Sequence, residues 1–303
     1  MAGSQDFAAD PRNAHLRIYV NGDLVPRAEA KVSIFDAGFV LGDGVWEGLR
    51  LHKGALAFLD AHLDRLWWGL DRIKLDIGMT RGALTSEIRR TLAANGMTDG
   101  VHIRLTLTRG VKITSGMDPR LNQSGPTLIV LAEHKPPVYG TGGLTLKTAA
   151  IRRPPPDCLD PKIHHNNLLP SILAKIEANA AGADDALMLD TRGFIAETNA
   201  THLFFVERGL VRTPTTAACP EGITRAAVLE LCAAHDIPHQ VTDLSLTEAY
   251  RADEAFCTGT MGELAAVTTI DGRTIGDGRV GPIAARLTAL FRELTSREGD
   301  PVT

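Results

Sequence analysis

Several things are missing from this 303-residue sequence, and each absence removes a class of function. No apolar run approaches the roughly 20 residues that a membrane-spanning helix needs, so an integral membrane protein is not expected. No block of lysines and arginines occurs, and the net charge is −4, so nucleic acid is not expected as a partner. The four cysteines (Cys158, Cys219, Cys232 and Cys257) are scattered and include no Cys-x-x-Cys pair. With no secretory leader they read as reduced thiols, and a cytoplasmic location is expected. The opening MAGSQDFAAD is polar and acidic, so residues 1–14 read as a flexible tail, not a signal peptide. There is no internal repeat, no low-complexity segment, no Walker lysine loop, no G-x-S-x-G elbow and no complete dinucleotide fingerprint.

What is present is ordinary in bulk: 44% hydrophobic and 22% charged residues, in a chain long enough to favour two domains. The segment EHKPPVYGTGG at 133–143 carries two prolines and three glycines and little to bury, which marks a linker. The expected organisation is a smaller domain over 1–134, a linker over 135–143 and a larger domain over 144–303.

In the first half, LRIYV followed by Asn21-Gly22 predicts a hairpin over 16–25. Four glycines between Gly38 and Gly48 suggest a bulged strand pair in 32–51. Asp60 is the expected cap of a helix that buries Leu63, Leu66, Leu70 and Ile73, and a second helix spans about 80–94 before Asn95-Gly96. VHIRLTLT at 101–108 alternates strictly: Val101, Ile103, Leu105 and Leu107 share one face, His102, Arg104, Thr106 and Thr108 the other. A strand at 127–132 closes this half.

In the second half a strand near 144–151 leads through Pro154, Pro155 and Pro156 to Lys162. The following helix has Leu169, Ile172, Leu173, Ile176 and Ala180 at helical spacing, read as its packed face, with Gly182 as the stop. ALMLD at 186–190 and FIAETNATHLFFV predict three short strands, with Glu197 as a carboxylate between apolar segments that needs a partner if buried. A helix is expected over 221–235, with Ile223, Ala227, Leu231 and Ala234 marking its face. Two strands flank Thr258-Gly259-Thr260-Met261-Gly262, and Gly281-Pro282 starts the last helix. Short, interrupted strands with unevenly placed helices indicate an α+β fold.

Three features can carry chemistry. Lys162 stands at the lip of a helix, where a buried amine with a lowered pKa becomes a nucleophile toward aldehydes. Gly222-Ile223-Thr224 opens a helix and offers free amides to an anion, and the Thr258–Gly262 loop offers a second amide nest. With Arg65, these suit a phosphate-bearing aldehyde cofactor. Cys158, Asp160, His164 and His165 are close in sequence, but adjacent histidines point in different directions and no second cluster follows, so no metal is expected.

The order Arg65, Lys162, Glu197, GITRAA, TGTMGEL and IDGRTIGDGRVGP resembles the class IV (fold-type IV) pyridoxal-phosphate aminotransferases, over about residues 16 to 295. That group holds branched-chain and D-amino-acid aminotransferases and aminodeoxychorismate lyases. The resemblance implies two domains, the larger with a barrel-like sheet, and pyridoxal 5'-phosphate held by Lys162 as the catalytic residue. It implies phosphate contacts from Arg65, Ile223, Thr224 and Thr260, and Glu197 at the pyridine nitrogen. It also implies a site between the domains, completed by the partner of a homodimer. The chain departs from the family's usual pattern at His202 and in the run IHHNNLL after Lys162, which bears on the pocket lining.

For the substrate the signals divide. Gly42-Asp43-Gly44-Val45 resembles the D-amino-acid branch, whereas Glu47-Gly48-Leu49-Arg50 resembles the branched-chain branch. The Pro-Arg-x-His run of the D-specific enzymes is absent, its place taken by Met117-Asp118-Pro119-Arg120-Leu121-Asn122. Arg104 matches the arginine that branched-chain enzymes point at the substrate carboxylate, a bidentate partner. Arg50, Arg120, Trp46 and Met261 are further candidate substrate contacts. The expectation is a branched-chain-like transaminase acting on an amino acid and a 2-oxo acid, with a D-amino-acid or (R)-amine transaminase as the alternative and the lyase as a third reading.

Overall fold

The computed structural model describes residues 10–137, 139–140, 142–297 and 299–302. Most of the expected flexible tail therefore lies outside the described residues. The rest falls into two compact units, one N-terminal (10–136, 163–167 and 295–302) and one C-terminal (137–162 and 168–294).

The N-terminal unit is built on an antiparallel sheet. β1 (Arg17–Val20) and β2 (Asp23–Pro26) form the hairpin expected at Asn21-Gly22, with Val20 opposite Asp23. The glycine-rich stretch is not a strand pair throughout. Asp36 caps a short helix, α1 (Ala37–Leu41), by accepting from the Gly38 amide at 2.8 Å, and Gly42 ends it in the left-handed region at φ 71°. Asp36 supplies the signal that favours helix here, because its carboxylate satisfies an otherwise orphaned amide. β3 (Gly44–His52) then runs to β4 (Ala55–Leu56) and α2 (Leu59–Arg72). Phe58, in a left-handed conformation, and not Asp60, stands at the cap position; Asp60 sits in the first turn.

α3 (Arg81–Ala94), β5 (Val101–Thr108) and β6 (Thr127–His134) complete the unit's first pass. Val101, Ile103, Leu105 and Leu107 of β5 are all buried, as the alternation requires. They form one core with Leu63, Leu66 and Leu70 of α2 and Leu84, Ile88 and Leu92 of α3. Each such side chain contributes about 1.5–3 kcal/mol by leaving water.

In the C-terminal unit, β7 (Leu144–Arg152) is followed by α4 (Pro156–Leu159), α5 (Leu169–Ala180), β8 (Asp185–Leu189), β9 (Ile195–Thr198), β10 (His202–Glu207) and β11 (Leu210–Thr213). Then come α6 (Ile223–Ala234), β12 (His239–Val241), α7 (Leu246–Tyr250), β13 (Glu254–Gly259), β14 (Glu263–Ile270), β15 (Arg273–Thr274) and α8 (Pro282–Arg297). The nine strands make a curled, half-barrel mixed sheet in the order β12-β11-β10-β13-β14-β7-β8-β9, with β15 on β14. One face buries Leu146, Leu187, Leu203, Phe205, Cys257 and Val267. On the other face Phe204 and Phe256 stack at 5.0 Å.

α5 departs from its expected packing. Leu169, Ile172, Leu173 and Ile176 are exposed, from 42% to 65%, while Ser171, Ala174 and Ala178 face inward. The alanines meet Ala149, Ala186 and Met188 of the sheet, and small residues on both sides let the helix lie close to it.

The chain also returns to the N-terminal unit twice, where a single boundary near 135–143 was expected. Residues 163–167 run along β3, with Trp46 N donating to His164 O at 2.9 Å and Asn166 N to Gly44 O at 3.0 Å. Near the C-terminus, β16 (Asp300–Pro301) pairs with β4. Backbone pairing to a sheet edge holds both segments there.

Candidate active site

The C-terminal unit carries the lysine. β7 ends at Arg152, the prolines stiffen the approach, and Lys162 follows in a turn whose amide donates to Asp160 Oδ1 at 3.0 Å. Its side chain is 36% exposed, and Nζ stands 3.6 Å from Glu221 Oε1. The amine is thus half-buried and paired, not sealed in an apolar pocket as the burial argument expected.

Glu221 immediately precedes the start of α6. Gly222 occupies the cap position, and among the described residues no side chain caps this helix start. Gly222 is required by close approach: a Cβ there would lie 2.2 Å from His202 Cδ2 and 2.3 Å from its Nε2. Thr224 is buried at the helix start, and Arg225 beside it donates to Pro214 O at 2.9 Å. The Thr258–Gly262 loop joins β13 to β14, with Thr260 and Met261 partly buried in its turn. Thr258 Oγ1 is buried and has no hydrogen-bond partner among the described residues, a costly position for a hydroxyl.

Glu197, 5% exposed on β9, has the partner that its burial demands: Arg153 Nη2 forms an ion pair with its Oε1. Arg153 also donates through Nη1 to Ser171 Oγ at 3.1 Å and through Nε to Ala218 O at 3.3 Å. Glu197, His202 and Cys219 bring their potential ligand atoms within 4.8 Å of one another. Two facts oppose a dication there: Arg153 already balances Glu197, and burial, followed by the Glu197 charge, pushes the Cys219 thiol well above its ordinary pKa.

The N-terminal unit holds the other candidates. Arg65 on α2 grips Glu47 of β3 in bidentate fashion, Nε to Oε1 at 2.7 Å and Nη2 to Oε2 at 2.8 Å. Glu47 is fully buried and also meets His62 Nδ1 at 2.8 Å and His164 Nδ1 at 3.3 Å. Burial works to raise the Glu47 pKa, but Arg65 and His164 outweigh it and hold the carboxyl well below its ordinary range. His164 is pulled down to about 4, first by burial and then by the Arg65 charge, so it is neutral near pH 7. The same burial lowers His62.

Trp46, one residue before Glu47 and on the opposite parity of the strand, packs against the His164 ring with centroids 3.9 Å apart and planes tilted by 31°. The Arg104 guanidinium lies 3.7 Å from the Trp46 ring centroid. Burial lowers the Arg104 pKa to about 10, partly offset by Glu47, and the group stays charged. Arg50 instead donates to Lys135 O at 2.8 Å. Arg120 is 90% exposed and is taken up by Asp118.

Arg153 and His62 are not singled out in the sequence, and Glu47 enters it only as part of the Glu47–Arg50 run. Strand parity carries the signal for Glu47: Val45, Glu47, Leu49 and Leu51 share the inward face of β3, so the carboxylate must be buried. His62 likewise falls on the buried stripe of α2. Arg153, in Arg152-Arg153-Pro154, gives no such sign.

Comparison with known proteins places these residues in a family. The family model for amino-transferase class IV matches residues 44–270. The chain is 52% identical to branched-chain-amino-acid aminotransferase-like protein 2 of Arabidopsis thaliana over 96% of its own length but 52% of that protein. It therefore spans about half the length of that relative. It is 39% identical to a putative branched-chain-amino-acid aminotransferase of Methanocaldococcus jannaschii, covering 94% of this chain and 98% of that one. D-alanine aminotransferases are also among the relatives. In structure it resembles the T.th. branched-chain amino acid aminotransferase complexed with N-(5'-phosphopyridoxyl)-L-glutamate, with a TM-score of 0.87 and 33% identity over 94% of this chain and 95% of that one. The chain belongs to the class IV aminotransferase family.

Proposed function

We propose that this protein is a pyridoxal-phosphate-dependent transaminase, moving an amino group from a branched-chain-type amino acid to a 2-oxo acid in two half-reactions. The observation that carries the reading is the C-terminal unit's own set of groups: Lys162, the Arg153–Glu197 ion pair, and a helix start with no side-chain cap. That donor set fits the cofactor. The α6 amides at Ile223 and Thr224 suit a phosphate, as does the Thr258 hydroxyl, which has no partner among the described residues. Gly222, where a Cβ would meet the His202 ring, lets the helix start pack directly against that ring. Arg65 is proposed as a further phosphate contact on the resemblance alone.

Bound, pyridoxal phosphate supplies an aldehyde for the amine and a ring that draws electrons from the substrate α-carbon. Glu197, kept ionised in its pair with Arg153, would favour the protonated form of the cofactor's ring nitrogen. Lys162 Nζ would hold the cofactor through its aldehyde, and its amine would move the proton taken from the substrate α-carbon. Arg104, stacked on Trp46 and charged, is the proposed carboxylate anchor. Met261 is a proposed neighbour of the substrate. Arg50 and Arg120 are already paired elsewhere and do not enter the reading.

The test is a donor panel run as single half-reactions with L-leucine, D-alanine and (R)-1-phenylethylamine, following the aldehyde absorbance. L-leucine should bleach it, and Lys162→Ala should lack the native band. If no donor bleaches it, the transaminase reading fails. Pyruvate released without a 2-oxo acid acceptor would mark the lyase instead, and faster bleaching by D-alanine would move the donor to the D-series.

A homodimer is part of the proposal. Val32, Ile34, Phe35, Phe39 and Val40 are exposed in the N-terminal unit, beside Ile113 through the Lys112 N to Phe35 O bond. Leu169, Ile172, Leu173 and Ile176 are exposed on α5. Apolar groups gathered in this way call for cover, and a second copy of the chain supplies it. Sedimentation as a monomer at micromolar concentration would refute it. A cytoplasmic location is proposed from the free thiols; among the described residues no helix is long and apolar enough to cross a membrane.

A further inference from the structure

A cavity of about 330 Å³ opens in the C-terminal unit between β14 and α8. None of the proposed cofactor contacts lines it. Its floor is Phe256, Leu264, Ala266, Ala284, Ala285 and Ala289, so small side chains on the helix leave the space unfilled. One wall is the Tyr139 ring, held by its hydroxyl donating to Asp185 Oδ2 at 2.7 Å. Gly262 packs directly on that ring, since a Cβ there would lie 2.4 Å from it.

The rim carries one charge of each sign. Arg292 Nε meets Glu263 Oε2 at 3.1 Å, with the two side chains 64% and 25% exposed. Glu263 adopts φ 52°, a left-handed conformation that costs a residue with a side chain, and it lines the cavity with Arg292. An exposed pair of this kind holds its partners weakly and exchanges them readily.

We infer that this cavity is a second binding site, for a small α-amino acid with an aliphatic side chain. The rim and the floor select that chemistry together. An α-amino acid places a carboxylate and an ammonium on one carbon, so it can take Arg292 and Glu263 at once and exchange one ion pair for two. Its side chain then lies on the alanine-lined floor, and its removal from water drives binding. A simple anion would face Glu263, and a simple cation would face Arg292. The volume lies at the small end of ligand pockets, which favours a single amino acid over a nucleotide or a lipid. Because Gly262 closes the loop that carries Thr260, an occupant would press on the back of that loop.

Equilibrium dialysis of labelled L-leucine against cofactor-loaded Lys162→Ala, which cannot turn it over, tests the inference. Leucine taken up at the cofactor registers in the visible absorbance, and the cavity adds a second leucine per chain that does not. Ala285→Trp, at an exposed floor position, should abolish that second leucine, and the surface change Arg292→Gln should weaken it about tenfold or more. Neither 4-methylpentanoate nor 3-methylbutylamine, each matching one rim charge, should displace it. Absence of the second leucine at millimolar concentration, its persistence in both variants, or displacement by either half-molecule would overturn the inference. Failure of the transaminase reading would appear separately, as absorbance that no donor changes.

Discussion

Glu47 gives the sharpest quantitative test of the N-terminal unit. It is fully buried, and its two oxygens serve Arg65 twice, His62 once and His164 once. In Glu47→Ala the Arg65 guanidinium, only 14% exposed, loses its carboxylate, and two buried imidazoles lose an acceptor. Breaking a buried ion pair from one side costs about 3–5 kcal/mol, against a total domain stability of about 5–15 kcal/mol. With a urea slope of about 2 kcal/mol/M, the unfolding midpoint should fall by roughly 2 M.

Urea denaturation followed by tryptophan fluorescence reads this unit by itself, because Trp46, Trp67 and Trp68 are the chain's only tryptophans and all lie in it. Glu47→Gln keeps the shape but sets an amide donor against Arg65 or an imidazole, so it should recover no more than about 1 kcal/mol. A loss below about 1 kcal/mol for the alanine variant would refute the reasoning, since that is what a solvated surface pair is worth.

Gly222→Ala should weaken cofactor binding by about tenfold or more, because relieving a Cβ 2.2 Å from the His202 ring costs about 1–3 kcal/mol; unchanged affinity in an absorbance titration would refute this. Acid should destabilise the N-terminal unit early, since burial depresses the folded pKa of His164 to about 4 and of His102 to about 3. For a depressed pKa the stability is whole above the unfolded value near 6.5 and is lost as pH falls toward the folded value. Urea midpoints should therefore report a loss of about 2 kcal/mol per histidine between pH 7 and pH 5. Arg104→Lys, which removes a planar fork stacked on Trp46, should raise KM for carboxylate substrates about tenfold, whereas Arg120→Ala, an exposed pair with Asp118, should change no kinetic constant.

Much of the architecture could be read before the structure, because period-2 alternation in 101–108 and Asn21-Gly22 in the hairpin each leave one conformation that buries the right face. The site was less legible. Lys162, Glu197 and the Gly222 start stand out because their types are unusual where they occur. Arg153 does not: an arginine at the end of a strand reads as surface charge, and only the fold brings it to Glu197 and Ser171. Glu47 lay between these cases, since its parity with Val45, Leu49 and Leu51 marks a buried carboxylate but says nothing of the arginine that meets it.

The error on α5 shows what periodicity can and cannot carry. Leu169, Ile172, Leu173 and Ile176 do form a stripe, so the spacing was real, yet the helix presents Ser171, Ala174 and Ala178 to the sheet. Two faces competed. The large one promises more apolar area, but the small one allows close contact with Ala149 and Ala186 on the sheet. A single chain buries only one of them, so a sequence that keeps four large apolar residues on the other face is one whose full burial requires a second surface. The same reasoning makes the alanines of α8 informative in the opposite sense. There small residues face Phe256 and Leu264 without closing the gap, and a cavity is left beside them. Alanine against alanine brings one helix close to the sheet, and alanine against Phe256 and Leu264 leaves the other with room for a guest.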